Sequence, residues 1–402
     1  MAAVGAVVVE GPRGCGKTET ALRASASAVR LDVDDQARAA GALAPTLLLD
    51  GAQPRLIDEW QLVPAVWNHV RREVDSTGGA AGQFILTGSA LPADDLTRHS
   101  GALRFGRLRM RPMSLFEVGR STGGVSLGTL LSGGEPRAAD PGLDIRQIAD
   151  LVAVGGWPAL LGRPIDAALV VLRGYLDETR RVDIPRVDGV ARDPESVGRV
   201  LRSLARHAAT QASARSIAAD VGGIEGPIDH HTVLAYLSAL SRVFVVEDLS
   251  AWSPALRSRT LLRGAPTRHF VDPSLAVAAL GADPDRLLRD VETLGLLFES
   301  LAVRDLRVFA QALDARVFHY RDATGLEADV IIERRDGTWA AFEITLGPSA
   351  VDEAARSLLR LADRVDPVRH GRPAALVVLT GWGYGYRRPD GVCVVPIGAL
   401  GP

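Results

Sequence analysis

The first ninety residues carry three short apolar runs, each ending in small or charged positions. Ala6–Glu10 is a run of valines that reads as a buried strand. Arg55–Gln61 and Gln83–Ser89 follow the same plan, with Leu56-Ile57 and Phe84-Ile85-Leu86 as their apolar centres. Thr20–Ala28 has helix-forming composition between the first two runs. Strands alternating with helices in this way predict an α/β sheet. Further along the pattern changes. Arg146–Leu161 starts as a helix and is broken by Gly155-Gly156-Trp157-Pro158, and Ala167–Arg180 reads as another helix. Pro194–Ala209 places Val197, Val200, Leu201 and Leu204 on one stripe and Arg199, Arg202 and Arg206 on the other side. Ser216–Val221 and Asp229–Leu240 are helical, and Val243–Leu249 and Thr267–Val271 read as strands. The last third predicts a long helix at Asp290–Phe309, then strands at 317–321, 329–332, 340–345, 374–380 and 392–395.

Between the first strand and the first helix lies Gly11-Pro12-Arg13-Gly14-Cys15-Gly16-Lys17-Thr18, which matches G-x-x-x-x-G-K-[ST] in the strand–loop–helix context that the motif requires. The backbone of Gly11, Gly14, Cys15 and Gly16 would turn its N–H groups inward around phosphates, and the helix N-terminus adds a partial positive charge. Lys17 would reach the β- and γ-phosphates, and Thr18 would ligate Mg²⁺. At the end of the second run, Asp58 would hold the same metal through its water shell and Glu59 would orient the attacking water. Ser114–Val118 has a helix-like composition just beyond the basic stretch His99–Arg111. In that stretch Arg104, Arg107, Arg109 and Arg111 occur with no acid among them. One of them, Arg107 by preference, suits an arginine finger, supplied in cis or to a neighbouring subunit; a solvated basic face is the alternative.

Composition sharpens the lysine. The chain of 402 residues has 46 basic and 48 acidic residues, and Lys17 is its single lysine, so 45 of the 46 cations are arginine. A surface cation tolerates that exchange, whereas a site that needs a compact ammonium on a flexible stem does not. The net charge of −2 announces no nucleic-acid partner by itself, although local patches stay open. Two cysteines, Cys15 and Cys393, far apart in sequence, suggest neither a disulfide framework nor a clustered metal site. The apolar runs are too short to span a bilayer, and the N-terminus has no basic flank before an apolar segment, so the expected location is cytoplasmic.

The stretches GPRGCGKT, RLIDEWQ, FILTGSA and GRLRMRPMSLFEV resemble those of a group of bacterial and archaeal AAA+ ATPases whose core is joined to a C-terminal domain of unknown function. Gly155-Gly156-Trp157-Pro158, Tyr175-Leu176-Asp177, Arg181-Val182-Asp183-Ile184 and Thr267-Arg268-His269-Phe270-Val271-Asp272 fit the same group, so the resemblance spans roughly residues 5 to 345. It implies ATP use, with Lys17, Thr18, Asp58 and Glu59 at the nucleotide. At the tip of the third strand, Thr87 or Ser89 would sense the γ-phosphate, as such residues do in AAA+ proteins. Trp60 departs from the group, in which a small residue is usual.

The rest of the chain bears on what ATP controls. Arg180 and Arg181 suit a lid that reaches back to the nucleotide, or plain surface positions. Helices followed by a strand pair suggest a winged helix, with His230, His231 and Thr232 on its recognition helix and Arg257, Arg259, Arg263 and Arg268 as phosphate contacts from the wing. Winged helices also hold proteins, and the turn at 222–228 is long for a DNA reader. Glu299, Asp329 and Glu343 occur in an order similar to the PD-(D/E)XK nuclease core, in which a lysine two residues after the last acid activates water. That place holds Thr345 here, so an inactive, nuclease-like scaffold is expected.

The expected organisation is an AAA+-type P-loop core over 1–125, a helical lid and linker over 126–190, a winged-helix-like domain over 191–275 and a degenerate, restriction-endonuclease-like domain over 276–402. The expected function is Mg²⁺-dependent ATP hydrolysis that drives a conformational switch on a DNA or protein partner, in a protein able to form homo-oligomers. The alternatives are a nucleotide-holding or DNA-binding module with negligible turnover and a metal-dependent nuclease, the latter disfavoured by the missing lysine.

Overall fold

A computed structural model describes residues 3–90, 101–190, 192–222, 228–253 and 265–402, without the side chains of Arg186 and Asp188. The chain divides into two compact units. The first comprises residues 1–112, 181–192 and 238–245, and the second comprises 113–180, 193–237 and 246–402.

The first unit is built on β1 (Ala6–Glu10), β2 (Ser27–Arg30), β3 (Arg55–Asp58), β4 (Phe84–Gly88) and β5 (Phe105–Arg109). They form one sheet in the order β2-β3-β4-β1-β5, with every pairing parallel. Successive side chains of a strand point to opposite faces, and here both faces are buried. Ala6, Val8, Ile57, Phe84 and Leu86 pack with Trp60, Trp67 and Val70 on one side, and Val9, Leu56 and Ile85 pack with Ala21 on the other. This two-sided burial is why the three runs are apolar throughout rather than alternating. Helix α1 (Lys17–Ala24) follows β1; α2 (Asp35–Leu43) is capped by the Asp34 side chain, and α3 (Val66–Ser76) buries Val66, Val70 and Val74. The helix expected at Thr20–Ala28 thus starts three residues earlier and stops at Ala24. Ser25 is extended, and the chain enters β2 so that Val29 can join the core.

The second unit contains a six-stranded sheet in the order β11-β12-β10-β9-β8-β7, from β7 (Ala315–Arg321), β8 (Glu327–Arg334), β9 (Trp339–Thr345), β10 (Ala375–Thr380), β11 (Tyr386–Arg387) and β12 (Cys393–Pro396). β7, β8 and β9 pair antiparallel, and β10 runs parallel to both β9 and β12. Its helices are α4 (Leu127–Leu130), α5 (Ile145–Val154), α6 (Ile165–Glu178), α8 (Pro194–Arg206), α9 (Ala214–Gly222), α11 (Pro273–Leu280), α12 (Pro284–Arg289), α13 (Val291–Ala312), α14 (Val351–Arg364) and α15 (Pro367–His370); α7 (Ile184–Asp188) lies in the first unit, and α10 (His230–Arg242) runs through residue 238, where the division falls. Ala354, Ala355, Leu358 and Leu361 of α14 cover the sheet against Ile331, Ala341 and Val378.

The boundary expected at residue 125 is displaced. Residues 113–126 belong with the second unit: the Leu115 N–H donates to Asp305 Oδ2 at 2.9 Å, Ser121 Oγ donates to the Leu400 carbonyl at 2.6 Å, and β6 (Val125–Ser126) pairs parallel with β13 (Leu400–Gly401). Ser114–Val118, read as helix-like, is a turn. The strand pair expected at Val243–Leu249 and Thr267–Val271 is reduced to two antiparallel bridges, Val246 with Phe270 and Leu249 with Thr267. Arg257, Arg259 and Arg263, and residues 223–227 of the long turn, lie outside the described residues. Among the described residues no helix is long and apolar enough to cross a membrane.

Candidate nucleotide site

In an open parallel sheet, ligands sit beyond the carboxyl ends of the strands where the order reverses. β1, β3 and β4 bring their carboxyl ends together there. The loop after β1 turns through Gly14 at φ 75° and Gly16 at φ 99°, a backbone region that a side chain disfavours. Gly16 is also the N-cap of α1, so the first N–H groups of that helix open toward the loop. Lys17 is buried, and its Nζ donates to the Gly11 carbonyl at 2.9 Å and the Pro12 carbonyl at 2.8 Å. The ammonium is thereby held on the inner side of the loop. Cys15 is buried beside it; burial pushes its thiol above the usual range, and the charge of Lys17 opposes that shift.

Thr18 Oγ1 donates toward Asp58 Oδ1 at 3.0 Å, with Oδ2 at 3.2 Å. Thr87 Oγ1 donates to the same Oδ1, and Arg30 Nε lies 3.6 Å from Oδ2. Glu59 follows in the left-handed region at φ 53°, which for a residue with a side chain costs on the order of 1 kcal/mol. That turn lets its N–H donate to Thr87 Oγ1 at 3.2 Å, while its Oε2 accepts from Gln61 Nε2 and from Ser89 Oγ at 3.0 Å. The structure therefore brings Lys17, Thr18, Asp58, Glu59, Thr87 and Ser89 together at the carboxyl end of the sheet. Thr87 serves here as the link between the two acids.

Arg107 sits in β5 opposite Val8; its guanidinium pairs with Glu10 and lies 5.7 Å from the Trp67 ring. Arg104 pairs with Asp75 at 2.7 Å, and Arg109 stacks over the Phe244 ring at 4.7 Å. Three partners escaped the sequence reading. Arg30 and Gln61 touch the acids, and Asp183 pairs at 2.9 Å with Arg13 at the tip of the loop. Gln61 stood two positions from Glu59 in a stretch already singled out. Asp183 falls in the Arg181-Val182-Asp183-Ile184 stretch that carries the resemblance, but nothing there points to Arg13, 170 residues away.

The second unit shows a different chemistry. Asp329 Oδ2 accepts the Ile344 N–H at 2.7 Å, and Asp329 and Glu343 hydrogen-bond to each other. Burial, then the neighbouring carboxylates, push Glu299 and Glu343 well above the ordinary range. Burial thus favours the protonated forms of Glu299 and Glu343. Asp329 and Glu343 border a cavity of roughly 690 Å³ that Thr345, Ser357, Arg360 and Arg364 also line. Thr345 Oγ1 donates to the Gly347 carbonyl, so it supplies no base. Among the described residues no group of three His, Cys, Asp or Glu is placed to hold a metal by itself. Of the expected nucleic-acid contacts, the His230 and His231 rings lie 4.0 Å apart, tilted by 38°. Arg268 is buried, pairs with Asp248 and donates to the Ala212 carbonyl, and is therefore an internal strut rather than a phosphate contact. Arg180 pairs with Asp177 and Glu195.

The parallel sheet, the glycine loop with its buried lysine and the Thr18–Asp58 contact define an ATP-binding P-loop domain of the AAA type. Residues 4–119 match the family described as AAA domain. Residues 145–286 and 294–400 match two families each described as a domain of unknown function, DUF8612 and DUF4143. No curated protein matches the chain. Eight solved chains match. One is a Walker-type ATPase of Pyrococcus abyssi, 13% identical over 68% of this chain and 90% of that one, with a TM-score of 0.43. Another is the Aeropyrum pernix ORC1 protein in complex with DNA, 16% identical over 71% of this chain and 88% of that one, with a TM-score of 0.24.

Proposed function

We propose that this protein hydrolyses ATP with Mg²⁺ and uses the cycle to drive a conformational switch on a DNA or protein partner. The observation that carries the reading is the hydrogen-bonded chain Thr18–Asp58–Thr87–Glu59 beside the buried Lys17. Lys17 would hold the β- and γ-phosphates, with the loop N–H groups of Gly11, Gly14, Cys15 and Gly16 around them. A hydroxyl and a carboxylate 3.0 Å apart are hard oxygen donors, a set suited to Mg²⁺, which takes few protein ligands and completes its shell with water and phosphate. Mg²⁺ supplies neutralisation of charge on the phosphates when bound. Thr87 keeps Asp58 and Glu59 in one orientation, and Glu59 positions and deprotonates water once its carboxylate is released by Gln61 and Ser89. Arg107, as a finger, has to exchange Glu10 for phosphate.

That Glu59 is engaged by two side chains also favours a second reading, a module that holds ATP with negligible turnover. Turnover of wild type, Glu59→Gln and Lys17→Ala separates the two. The hydrolytic reading expects Glu59→Gln to retain nucleotide and lose about 100-fold or more in rate, within the range general-base catalysis supplies. Equal rates for wild type and Glu59→Gln would sink it. Lys17→Ala is expected to lose nucleotide binding itself.

A further inference from the structure

We propose that a groove formed by α6, α8 and α11 in the second unit binds the phosphate backbone of nucleic acid. The groove holds roughly 280 Å³ and is lined by Arg173, Arg180, Arg199 and Arg202, with Asp177 and Glu195 as its acids. Small residues, Gly198 from α8 and Ala278 and Ala279 from α11, also line it; a methyl group on Gly198 would meet Arg180 Nη1 at 3.1 Å.

The charges do not cancel. Arg180 alone takes both acids, its guanidinium pairing with Asp177 at 2.9 Å and Glu195 at 3.0 Å. Arg199 Nη2 donates to Ser196 Oγ at 3.0 Å, and the Asp193 carboxylate that faces it from the start of α8 is already taken by Ser196 and by the Glu195 N–H. Arg173 and Arg202 form no ion pair among the described residues, and both are exposed. Four cations thus face three carboxylates, two of them held by Arg180 and the third, Asp193, beside Arg199, which leaves the groove cationic in a chain whose net charge is −2.

The arrangement suits a repeating anion. Arg199 and Arg202 are one helical turn apart on α8, which puts them on neighbouring positions of one face, and Arg173 stands across on α6. A lone phosphate ester would occupy one guanidinium fork, whereas a strand carrying a negative charge about every 3.4 Å offers partners to several. Guanidinium groups bind phosphate in a planar, bidentate way, so a chain that uses arginine for its surface cations loses nothing here. This reading is independent of whether ATP is turned over.

The test is fluorescence anisotropy of the full-length protein with a labelled duplex, and separately a single strand, of about 25 nucleotides, over about 50 to 200 mM NaCl. Arg173→Ala/Arg199→Ala/Arg202→Ala is compared with wild type and with Arg372→Ala, an exposed arginine outside the groove. The triple variant is expected to bind at least about ten-fold more weakly at low salt. Its slope of log affinity against log salt is expected to fall by about 2 to 3, near 0.9 for each duplex phosphate released. Arg372→Ala is expected to match wild type. Arg202→Ala alone, with an expected slope change of about 1, stands in if the triple variant loses its circular dichroism spectrum. Equal affinity and slope for wild type and the groove variants overturn the proposal. So does wild-type binding to phosphatidylserine vesicles or a phosphopeptide with none to either oligonucleotide. ATP turnover of the same samples is read separately, so loss of the hydrolytic reading leaves this result standing.

Discussion

Replacing Arg304 with methionine tests the account of the second unit most directly. The guanidinium is buried, with Nη1 2.8 Å from Asp272 Oδ2, and Nε and Nη2 at 2.9 and 2.7 Å from Asp305 Oδ1. Both carboxylates are also buried. Asp272 accepts further bonds from the Gly156 N–H, the Ser274 N–H and the Ser274 hydroxyl, and Asp305 accepts the Leu115 N–H. Methionine keeps much of the volume and removes the one cation. Leaving a buried charge without its partner costs about 3–5 kcal/mol. Two carboxylates lose a partner, but each keeps at least one backbone donor, so a loss of about 4 kcal/mol is the reasoned value. A domain has about 5–15 kcal/mol in all, so the unit should be close to unfolding. Arg304→Lys should lie between, since one ammonium cannot bond both acids as a fork does. The assay is equilibrium urea unfolding with Trp157 fluorescence as local reporter, because its indole N–H donates to Ser274 Oγ at 2.9 Å inside this network. Burial already pushes Asp305 up against the pull of Arg304, so without the arginine the loss should shrink as pH falls and Asp305 protonates. A loss below about 1 kcal/mol at pH 7, or one that does not depend on pH, would refute the reasoning.

Two further expectations concern titration. Burial pushes His319 down to about 4 from 6.5, so the folded chain keeps the ring neutral while the unfolded chain takes a proton. Stability should be full above pH 6.5 and fall by about 3 kcal/mol on the way to pH 4; His319→Gln should flatten that limb of a urea series between pH 7 and 4.5, and an unchanged limb would count against it. Glu343 behaves oppositely. Burial and the charge of Asp329 push it up, so keeping it protonated costs the fold more as pH rises above 4.5. Glu343→Gln should therefore raise the melting temperature at pH 8 and give no gain at pH 4; an equal gain at both would contradict the assignment.

The nucleotide loop was legible because its chemistry is contiguous: eight consecutive residues carry the turn, the ammonium and the hydroxyl. Asp58, Glu59, Thr87 and Ser89 were legible because strand ends are marked by a change from apolar to polar. Gly155-Gly156-Trp157-Pro158 and Thr267–Asp272 could be recognised, but their physical reason could not be read. That reason is the Asp272 carboxylate, which joins residues 116 apart. At Gly156 a Cβ would sit 1.9 Å from the Met113 carbonyl, so no other residue fits. Arg268 was misread for a related reason: an arginine near polar neighbours looks the same in sequence whether it faces solvent or Asp248. The helix placed at Thr20–Ala28 followed an alanine-rich composition that a sheet partner overrode.

The first unit is drawn from three separate stretches of chain, and this orders events during synthesis. Asp183, which holds Arg13, and Phe244, which underlies Arg109, are translated long after the glycine loop. A ribosome adding about 5–20 residues per second needs roughly 7 to 27 seconds to travel from residue 112 to residue 245. Through that interval all five strands of the sheet are already made, and the unit still lacks residues 181–192 and 238–245. The ATP-binding unit, although its first stretch opens the sequence, is completed only after more than half of the polypeptide has been made.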